Sequence, residues 1–465
     1  MKAKSKWLAI FLVIGLVLAA CGDGGGDATT TTGAEAPDTT EGETTETTEA
    51  ETTDTTVGGD IATDVGVDLE GGTITIGLLS DLSGQFSSLV QLIVAAHEVY
   101  WDNVNANGGI NGLEVDVVSV DTEYLSDVHV QRYEELKDEV VAFGHSTGSP
   151  QTVAIIPQLE ADGILAIPLT WYSGWTDPNY NSNLLPHGTN YCIESMNVIS
   201  YIAEQVVDGA TTIALASVPG DYGLDSMEGA KMAAEGLGLE IVYDGSGQII
   251  PGDEASFASV ANGIVGVDPD IVYMTASPLQ WGPIFGQALA AGFTTAHWSG
   301  AGPSYNPAFI APDSAIAEAV AGMSTWGSYY SLWSQDEPGV ADAKELLLDS
   351  GRVDRPVSAY FEGFVEARIM HAALEAAYES GDMTQAGVLA AGKSLENVSF
   401  DDLAPDESYV GTPNEAVQRA TNIWQPDPAG LADGTHAGEV VVEPLYTSDL
   451  AAAFEFTEAC YQLEN

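Results

Sequence analysis

Between residues 73 and 167, short runs of consecutive apolar residues alternate with longer segments whose apolar residues recur every three or four positions. Short runs are typical of buried strands, and the longer spacing is typical of amphipathic helices. We predict a parallel sheet flanked by helices. Its strands are expected at 73–79, 114–120, 140–143 and 164–167, and its helices at 88–105, 128–137 and 150–160.

The same alternation restarts after residue 190. Helices are predicted at 194–207, 224–236, 256–265 and 279–291, and strands at 212–216, 240–243 and 270–274. Beyond 322 we expect a crossover strand, helices at 341–350 and 358–380, an irregular acidic stretch to 411 and a last helix near 449–462. Two similar sets predict an α/β fold with two lobes. The first lobe would comprise 71–190 and 323–400, and the second 191–322 and 401–465.

The N-terminus has the composition of an export signal. Three lysines precede an apolar run that ends at Ala19 and Ala20, just before Cys21. This order is typical of a secretory signal peptide at 1–20. Residues 21–70 are mostly Gly, Thr, Glu, Asp and Ala, a composition with too few apolar side chains to fold. We therefore expect a disordered acidic tether.

Charge and cysteine content narrow the class of protein. The chain has 69 acidic and 12 basic residues, a formal charge of −57, which argues against nucleic-acid partners and against docking on anionic lipid. Apart from Cys21 the chain has two cysteines, Cys192 and Cys460. Export would place them in an oxidising compartment, where they can form a disulfide that ties the C-terminal segment to mid-chain.

Four segments together resemble the branched-chain amino acid and amide binding family, the type I periplasmic solute-binding proteins. The segment at 76–84 resembles the family's first strand and turn, and 107–114 resembles its Gly-Gly-Ile-x-Gly loop. The segment at 144–149 resembles the turn after its third strand, and 221–223 its Asp-x-Tyr-Gly element. The sequence Leu18-Ala19-Ala20-Cys21 resembles the bacterial lipobox.

The resemblance implies two lobes, each a parallel helix-flanked sheet, joined by three crossovers and closing on a small solute. It implies a monomeric binding protein that delivers the solute to an ABC permease, with Cys21 lipidated at the outer face of the cytoplasmic membrane. The solute would be an amino acid, an amide, a urea-like compound, or an aromatic or other carboxylic acid. The residues expected to bind it are Phe86, Ser149, Thr170, Tyr172, Tyr222 and Ser277.

One departure from the family bears on the solute. Amino-acid binders of the family place an acidic residue in the second lobe, at a position that aligns within 298–302, and this segment has no carboxylate. An unpaired ammonium group in a closed cleft would be costly. We therefore expect a solute other than an ordinary amino acid. Trp171, Trp175, Trp281 and Trp298 favour a flat or apolar one.

Two alternatives remain open at this point. Residues 144–148 also fit the Gly-x-Ser-x-Gly elbow of serine hydrolases, with Ser146 as nucleophile. The second alternative is a ligand-sensing module of a membrane receptor, whose folded part would be the same. No His, Cys or carboxylate group of residues has metal-ligand spacing, and no phosphate loop is present, so we expect no metal, no cofactor and no catalytic residue.

Overall fold

The computed structural model describes residues 61–176, 183–353, 355–434 and 436–463. The predicted signal peptide, Cys21 and the tether up to residue 60 lie outside this part of the chain. Residues 61–70 form two short strands, and Val67 is buried against the first sheet. The prediction of a disordered tether is therefore wrong for these residues, because Val67 anchors them to the folded body.

The first lobe is built on a five-stranded sheet. Its elements are β1 Ala62–Thr63, β2 Val67–Asp68, β3 Thr73–Ser80, α1 Ser87–Ala106, β4 Glu114–Asp121, α2 Ser126–Leu136, β5 Ala142–Thr147, α3 Ser149–Asp162 and β6 Ala166–Leu169. Strand β3 pairs in parallel with β4 and β5, and β5 pairs in parallel with β6. Helices cover this sheet, which explains why its strands are runs of consecutive apolar residues.

The second lobe repeats this architecture with a four-stranded parallel sheet in the order β10-β9-β7-β8. Its elements are α4 Tyr191–Tyr201, β7 Thr212–Ser217, α5 Asp221–Leu237, β8 Glu240–Gly245, α6 Glu254–Val267, β9 Ile271–Thr275, α7 Pro278–Ala290 and β10 His297–Ser299. A π-helical turn, Ile202–Val206, extends α4. The prediction of a parallel, helix-flanked sheet in each lobe is confirmed.

The last third of the chain contributes elements that pack on both lobes. Its elements are α8 Ala317–Met323, β11 Trp326–Ser328, α9 Pro338–Asp349, α10 Tyr360–Ser380, β12 Asp382–Met383, α11 Gln385–Gly392, α12 Pro413–Ala416, β13 Thr421–Pro426, α13 Pro428–Asp433, β14 Glu439–Tyr446 and α14 Asp449–Ala453. Helix α10 packs on α1 so closely that a Cβ atom at Gly363 would lie 2.3 Å from the Ile93 carbonyl oxygen. Trp326 and Trp424 extend the core of the second lobe.

The early elements match the sequence predictions more closely than the late ones. Strands β11, β13 and β14 form an antiparallel sheet that the apolar pattern did not predict. Helix α11 lies inside the stretch expected to be irregular. The predicted helix at 449–462 is wrong beyond Ala453, because the chain leaves the helix to place Phe456 against Cys192 and Met196. The assignment of residue ranges to the lobes stays a prediction.

Cys192 and Cys460 are joined by a disulfide, with their Cα atoms 6.4 Å apart. The Cys460 amide also donates to the Ser173 hydroxyl at 2.8 Å, so the C-terminal segment contacts both α4 and the chain that follows β6. Within the described residues, no helix combines the length and apolar character needed to cross a bilayer.

Candidate ligand-binding cleft

A cavity that is partly open to solvent lies between the two lobes. Its wall contains nine aromatic side chains, which come from turns and helix ends of both lobes. They are Phe86, Tyr124, Trp171, Tyr191, Tyr222, Tyr305, Tyr329, Tyr330 and Trp424. Among the described residues, no Lys, Arg or His side chain lines the cavity. The wall therefore favours a largely apolar occupant and offers no basic side chain to an anionic group.

Phe86 is held in the wall by the turn that follows β3. The Asp81 carboxylate accepts hydrogen bonds from the backbone amides of Gly84 and Phe86, and a Cβ atom at Gly84 would collide with that carboxylate. The Phe86 ring lies 4.9 Å from the Tyr124 ring and 5.8 Å from the Tyr222 ring, measured between centroids. The contact with Tyr222 joins the two lobes across the cavity.

Tyr222 reaches the cavity from the first turn of α5. Gly220 precedes this helix with φ +86°, a conformation that favours glycine, and turns the chain into the helix. The Tyr222 hydroxyl lies 3.0 Å from the Ser304 hydroxyl, and its ring lies 4.9 Å from the Tyr191 ring. Two of the six predicted binding residues, Phe86 and Tyr222, thus line the same cavity.

The other four predicted residues do not line it. The Ser149 and Thr170 hydroxyls bond to each other while both side chains are buried, next to Thr147 and Gly148, which do line the cavity. Helix α3 begins at Ser149, and Gly148 occupies the N-cap position. The Ser149 hydroxyl does not cap this helix and bonds to Thr170 instead.

Tyr172 and Ser277 have partners elsewhere in the fold. The Tyr172 hydroxyl donates to the Tyr461 carbonyl oxygen at 2.8 Å. Ser277 forms a capping box with Gln280 at the start of α7. Of the four tryptophans placed near the cleft by sequence, only Trp171 is among the lining residues, because Trp281 and Trp298 fill the second-lobe core and Trp175 packs in the first lobe. Solute contact by Ser149, Thr170, Tyr172 and Ser277 stays a prediction.

Three carboxyl groups line the cavity, although the segment 298–302 has none. They are Glu194 of α4, Glu362 of α10 and Glu439 of β14. They escaped the sequence comparison because none lies within 298–302. Glu194 nevertheless contacts that segment, since its carboxyl oxygen accepts a hydrogen bond from the Gly302 amide at 2.9 Å.

Burial makes these carboxyl groups unusual. It raises the pKa of Glu194 to about 8, against the hydrogen bond from Gly302, and that of Glu439 to about 7. Burial and the charge of Glu366 raise the pKa of Glu362 well above its ordinary value. Glu194, with a pKa of about 8, is therefore mostly protonated near neutral pH and can donate a hydrogen bond. The polar part of the wall can therefore donate to a carboxylate or accept from a hydroxyl.

The serine of the hydrolase hypothesis faces away from this cavity. The Ser146 hydroxyl is fully buried, 3.1 Å from His129 Nε2 and 2.8 Å from the Thr152 hydroxyl. It is not among the residues that line the cavity. Because a nucleophile must reach its substrate, this geometry counts against Ser146 in that role.

Comparison with known proteins identifies a family and several similar structures. A family model described as periplasmic binding protein matches residues 73–430. A fatty acid ABC transporter substrate-binding protein from Thermomonospora curvata is 26% identical, with a TM-score of 0.75 over 85% of this chain and 97% of that one. No curated protein matches.

Two further structures share the fold at lower identity. A branched chain amino acid ABC transporter protein from Thermus thermophilus with bound valine is 21% identical, with a TM-score of 0.68 over 82% of this chain and 98% of that one. A solute binding protein from R. palustris in complex with benzoate is 16% identical, with a TM-score of 0.64 over 82% of this chain and 99% of that one. The described residues thus have the fold of two-lobed type I binding proteins.

Proposed function

The chain belongs to the periplasmic binding protein family, and on that premise we propose that it captures a largely apolar monocarboxylic acid for an ABC importer. The proposal rests on the cavity wall, which combines nine aromatic rings with three carboxyl groups and, among the described residues, no basic side chain. Aromatic rings suit the apolar body of a fatty or aromatic acid. Tyrosine hydroxyls and protonated carboxyl groups can donate to its carboxylate.

The structural relatives support an acid of this kind. The relative from Thermomonospora curvata, named for fatty acid transport, is the more similar of those described in sequence and in TM-score, and the R. palustris protein holds benzoate. Both solutes pair an apolar body with a single carboxylate.

Glu194 favours a second candidate, an apolar amino acid. It belongs to the second lobe and lines the cavity, the place where a solute ammonium group would need a carboxylate. An ammonium beside Glu194 would lower the pKa of that carboxyl group from about 8 and ionise it. The thermal stability of the protein with matched solutes separates the two candidates.

The matched solutes differ only in the amino group: 3-phenylpropanoate against phenylalanine, and 4-methylpentanoate against leucine. We expect the acids to raise the melting temperature and the amino acids to have little effect. At a hundred times the dissociation constant, a bound solute stabilises the folded state by about 2.7 kcal/mol. A larger effect from the amino acids would overturn the proposal in favour of the second candidate.

Substitutions at the cleft locate the bound solute. Phe86→Ala removes an aromatic ring that packs on Tyr222 and lines the cavity. We expect it to weaken binding of the active acid about tenfold, while Leu348→Ala, half-exposed on α9 and away from the cavity lining, should leave affinity unchanged. Equal affinity in both variants would show that the acid binds outside this cavity.

We propose that the lobes close around the solute. Three contacts cross the mouth of the cleft: Phe86 with Tyr222, Gln280 Nε2 with Gln85 Oε1 at 3.1 Å, and Asn306 Nδ2 with Ser88 Oγ at 3.1 Å. A closed form stabilised by such contacts is recognisable to a transporter. X-ray scattering should show compaction on addition of solute, and its absence at saturating solute would contradict closure.

We also propose that Cys21 carries the lipid anchor. The support is the lipobox-like sequence at 18–21 and the acidic, Thr-rich segment that follows it. Cys21→Ala should move the protein from the membrane fraction to the medium or periplasm. Membrane retention of this variant would rule out the anchor.

A further inference from the structure

A polar cluster lies buried next to the cavity wall in the first lobe. We call it the histidine–glutamate cluster, and its members are His97, His145, His187, Glu362 and Glu366. All five side chains are at most 3% exposed. Burying so many ionisable groups is costly unless each polar atom has a partner. The cluster therefore requires a full account of its hydrogen bonds.

On one side of the cluster every polar atom except His97 Nδ1 has a hydrogen-bond partner within the described residues. Glu366 Oε2 lies 3.1 Å from His97 Nε2 and 2.8 Å from His145 Nδ1, within hydrogen-bond range of both rings. The other nitrogen of His145, Nε2, bonds to the Thr147 hydroxyl. These contacts hold the Glu366 carboxylate in a fixed orientation. Its second oxygen, Oε1, consequently faces His187 on the other side of the cluster.

The other side of the cluster lacks partners. Within the part of the chain that the structure describes, Glu366 Oε1, His187 Nε2 and Glu362 Oε2 have no hydrogen bond. His187 Nε2 lies 3.6 Å from Glu366 Oε1, beyond ordinary hydrogen-bond length. The three residues can offer ligand atoms that all lie within 4.8 Å of one another.

Tyr329 determines the hydrogen pattern on this side. Its hydroxyl donates to Glu362 Oε1 and lies 2.9 Å from His187 Nδ1. Because the single hydroxyl hydrogen is used by Glu362, His187 Nδ1 must donate to the Tyr329 oxygen. His187 Nε2 then carries a lone pair that faces the lone pairs of Glu366 Oε1. Two acceptors facing each other in a dry site need a proton or a metal ion between them.

We propose that this gap binds a divalent transition-metal ion of the Zn²⁺ class, with His187 Nε2, Glu366 Oε1 and Glu362 Oε2 as ligands. Imidazole and carboxylate are usual zinc ligands at about 2.0–2.2 Å, and the 3.6 Å between His187 Nε2 and Glu366 Oε1 fits such bonds. The hydrogen bond from His187 Nδ1 to Tyr329, and those that hold Glu366, form the outer shell that orients metal ligands.

The position of the site indicates what completes the coordination. Glu362 and Tyr329 both line the cavity, so the ion lies at the cavity wall. A catalytic-type zinc site keeps one position for an exogenous ligand, and a carboxylate oxygen is a suitable one. The solute carboxylate is the ligand class that fits. This last step rests on the proposed function, whereas the metal site itself does not.

The test uses the full chain without solute. After treatment with EDTA and desalting, the protein is dialysed against micromolar Zn²⁺ and its metal content is measured by mass spectrometry. We expect one zinc per chain in the native protein and at least a tenfold loss of affinity in His187→Asn and Glu366→Gln. Glu375→Gln is the matched control, because Glu375 pairs with His371 on the same helix at the partly exposed surface. It should retain one zinc.

Other outcomes would overturn the site. A native protein that retains no zinc, or a Glu375→Gln variant that loses it while Glu366→Gln does not, excludes the cluster as the site. If Glu366→Gln fails to fold, the Glu362→Gln variant tests the site in its place, since the remaining carbonyl oxygen of its side chain still accepts a hydrogen bond from Tyr329. Zinc should raise the melting temperature of the native protein and not of Glu362→Gln. An equal rise in both contradicts the proposal.

A separate measurement isolates the role of the solute. Solute affinity is compared between EDTA-treated and zinc-loaded protein. We expect tighter binding of the acid to the loaded protein. Equal affinity would remove the solute from the coordination sphere and leave the solute-binding function intact, whereas loss of solute binding under both conditions would count against that function alone.

Discussion

The first and second lobes share one architecture, yet different chemistry lies behind the walls that they present to the cavity. The first-lobe wall, with Thr147, Tyr329 and Glu362, is backed by the histidine–glutamate cluster. The second-lobe wall, with Tyr305 and Trp424, is backed by stacked aromatic rings, Trp326 on Trp424 and Trp281 on Phe309. A buried polar network therefore lies behind the first-lobe wall, and an aromatic core lies behind the second-lobe wall.

The pKa values of two buried acids near the cavity, Glu366 and Glu194, also differ between the lobes. Burial raises the pKa of Glu366 in the first lobe, but the charge of His145 and hydrogen bonds with His145 and His97 outweigh burial, and the pKa lies well below its usual range. In the second lobe, Glu194 has a pKa of about 8, raised by burial with one opposing hydrogen bond. Glu366 behind the first-lobe wall therefore carries a stabilised buried charge, while Glu194 in the second-lobe wall is mostly neutral near pH 7.

The largest effect is expected from breaking the second-lobe core. Trp281 is fully buried and its ring lies 5.1 Å from that of Phe285 and 5.4 Å from that of Phe309, both stacked. Trp281→Ala should lower the free energy of unfolding by about 3–5 kcal/mol, because it leaves a large cavity. Urea unfolding measures this change.

Leu279→Ala is the control for that substitution. Leu279 lies on the same helix but is 64% exposed, so its loss should change stability by no more than about 0.5 kcal/mol. Similar losses in the two variants would mean that the aromatic rings do not form the core of the second lobe.

An intermediate effect should distinguish two tyrosines, one in each wall. The Tyr329 hydroxyl bonds to Glu362 and His187, whereas the Tyr305 hydroxyl has no hydrogen bond within the described residues. Tyr329→Phe should cost about 1–3 kcal/mol of unfolding free energy, because it leaves buried polar atoms without a partner. Tyr305→Phe should be close to neutral. Equal costs would show that the polar and apolar walls are not energetically distinct.

Counted per pH unit, the smallest effect is a change in the pH dependence of stability. Glu194 has a folded-state pKa of about 8, above its ordinary value of 4.5, so the folded state binds the proton more tightly. Its contribution to stability is present below about pH 4.5 and is lost as the pH rises through 8. Glu194→Gln should make the loss between these values shallower, by at most about 1.4 kcal/mol per pH unit.

Denaturant unfolding at several pH values measures this slope. Glu235→Gln, an exposed position on α5, is the control and should keep the native slope. An unchanged slope in Glu194→Gln would indicate that Glu194 is ionised in the folded protein, which favours an ammonium-bearing solute.

The sequence predicted the fold better than the cleft. The strands that became β3, β4, β7 and β9 were predicted to within a residue at either end, because buried parallel strands are continuous apolar runs. Phe86 and Tyr222 were correctly expected near the cleft, because each follows a turn that the sequence makes recognisable. Ser149 and Thr170 have the right chemistry for a site, but their hydroxyls bond to each other, which no local pattern reveals.

The carboxyl groups show why the remainder of the cleft was missed. Glu194, Glu362 and Glu439 come from three distant parts of the chain, and the crossovers bring them to one cavity. The same is true of His187 and Glu366, whose separation in sequence hides any metal-ligand spacing. A hydrophobic pattern records which face of an element is buried, not which element from elsewhere it meets.

The amino-acid sequence by itself determined the alternation of strands and helices, the two lobes and the family, because these follow from local periodicity and short turn motifs. Only the tertiary structure decided the chemistry of the cavity, since its wall is assembled from segments more than 300 residues apart, as Phe86 and Glu439 are. It also decided the protonation of the buried acids. Their pKa values depend on desolvation and on neighbours, and both arise only when the chain is packed.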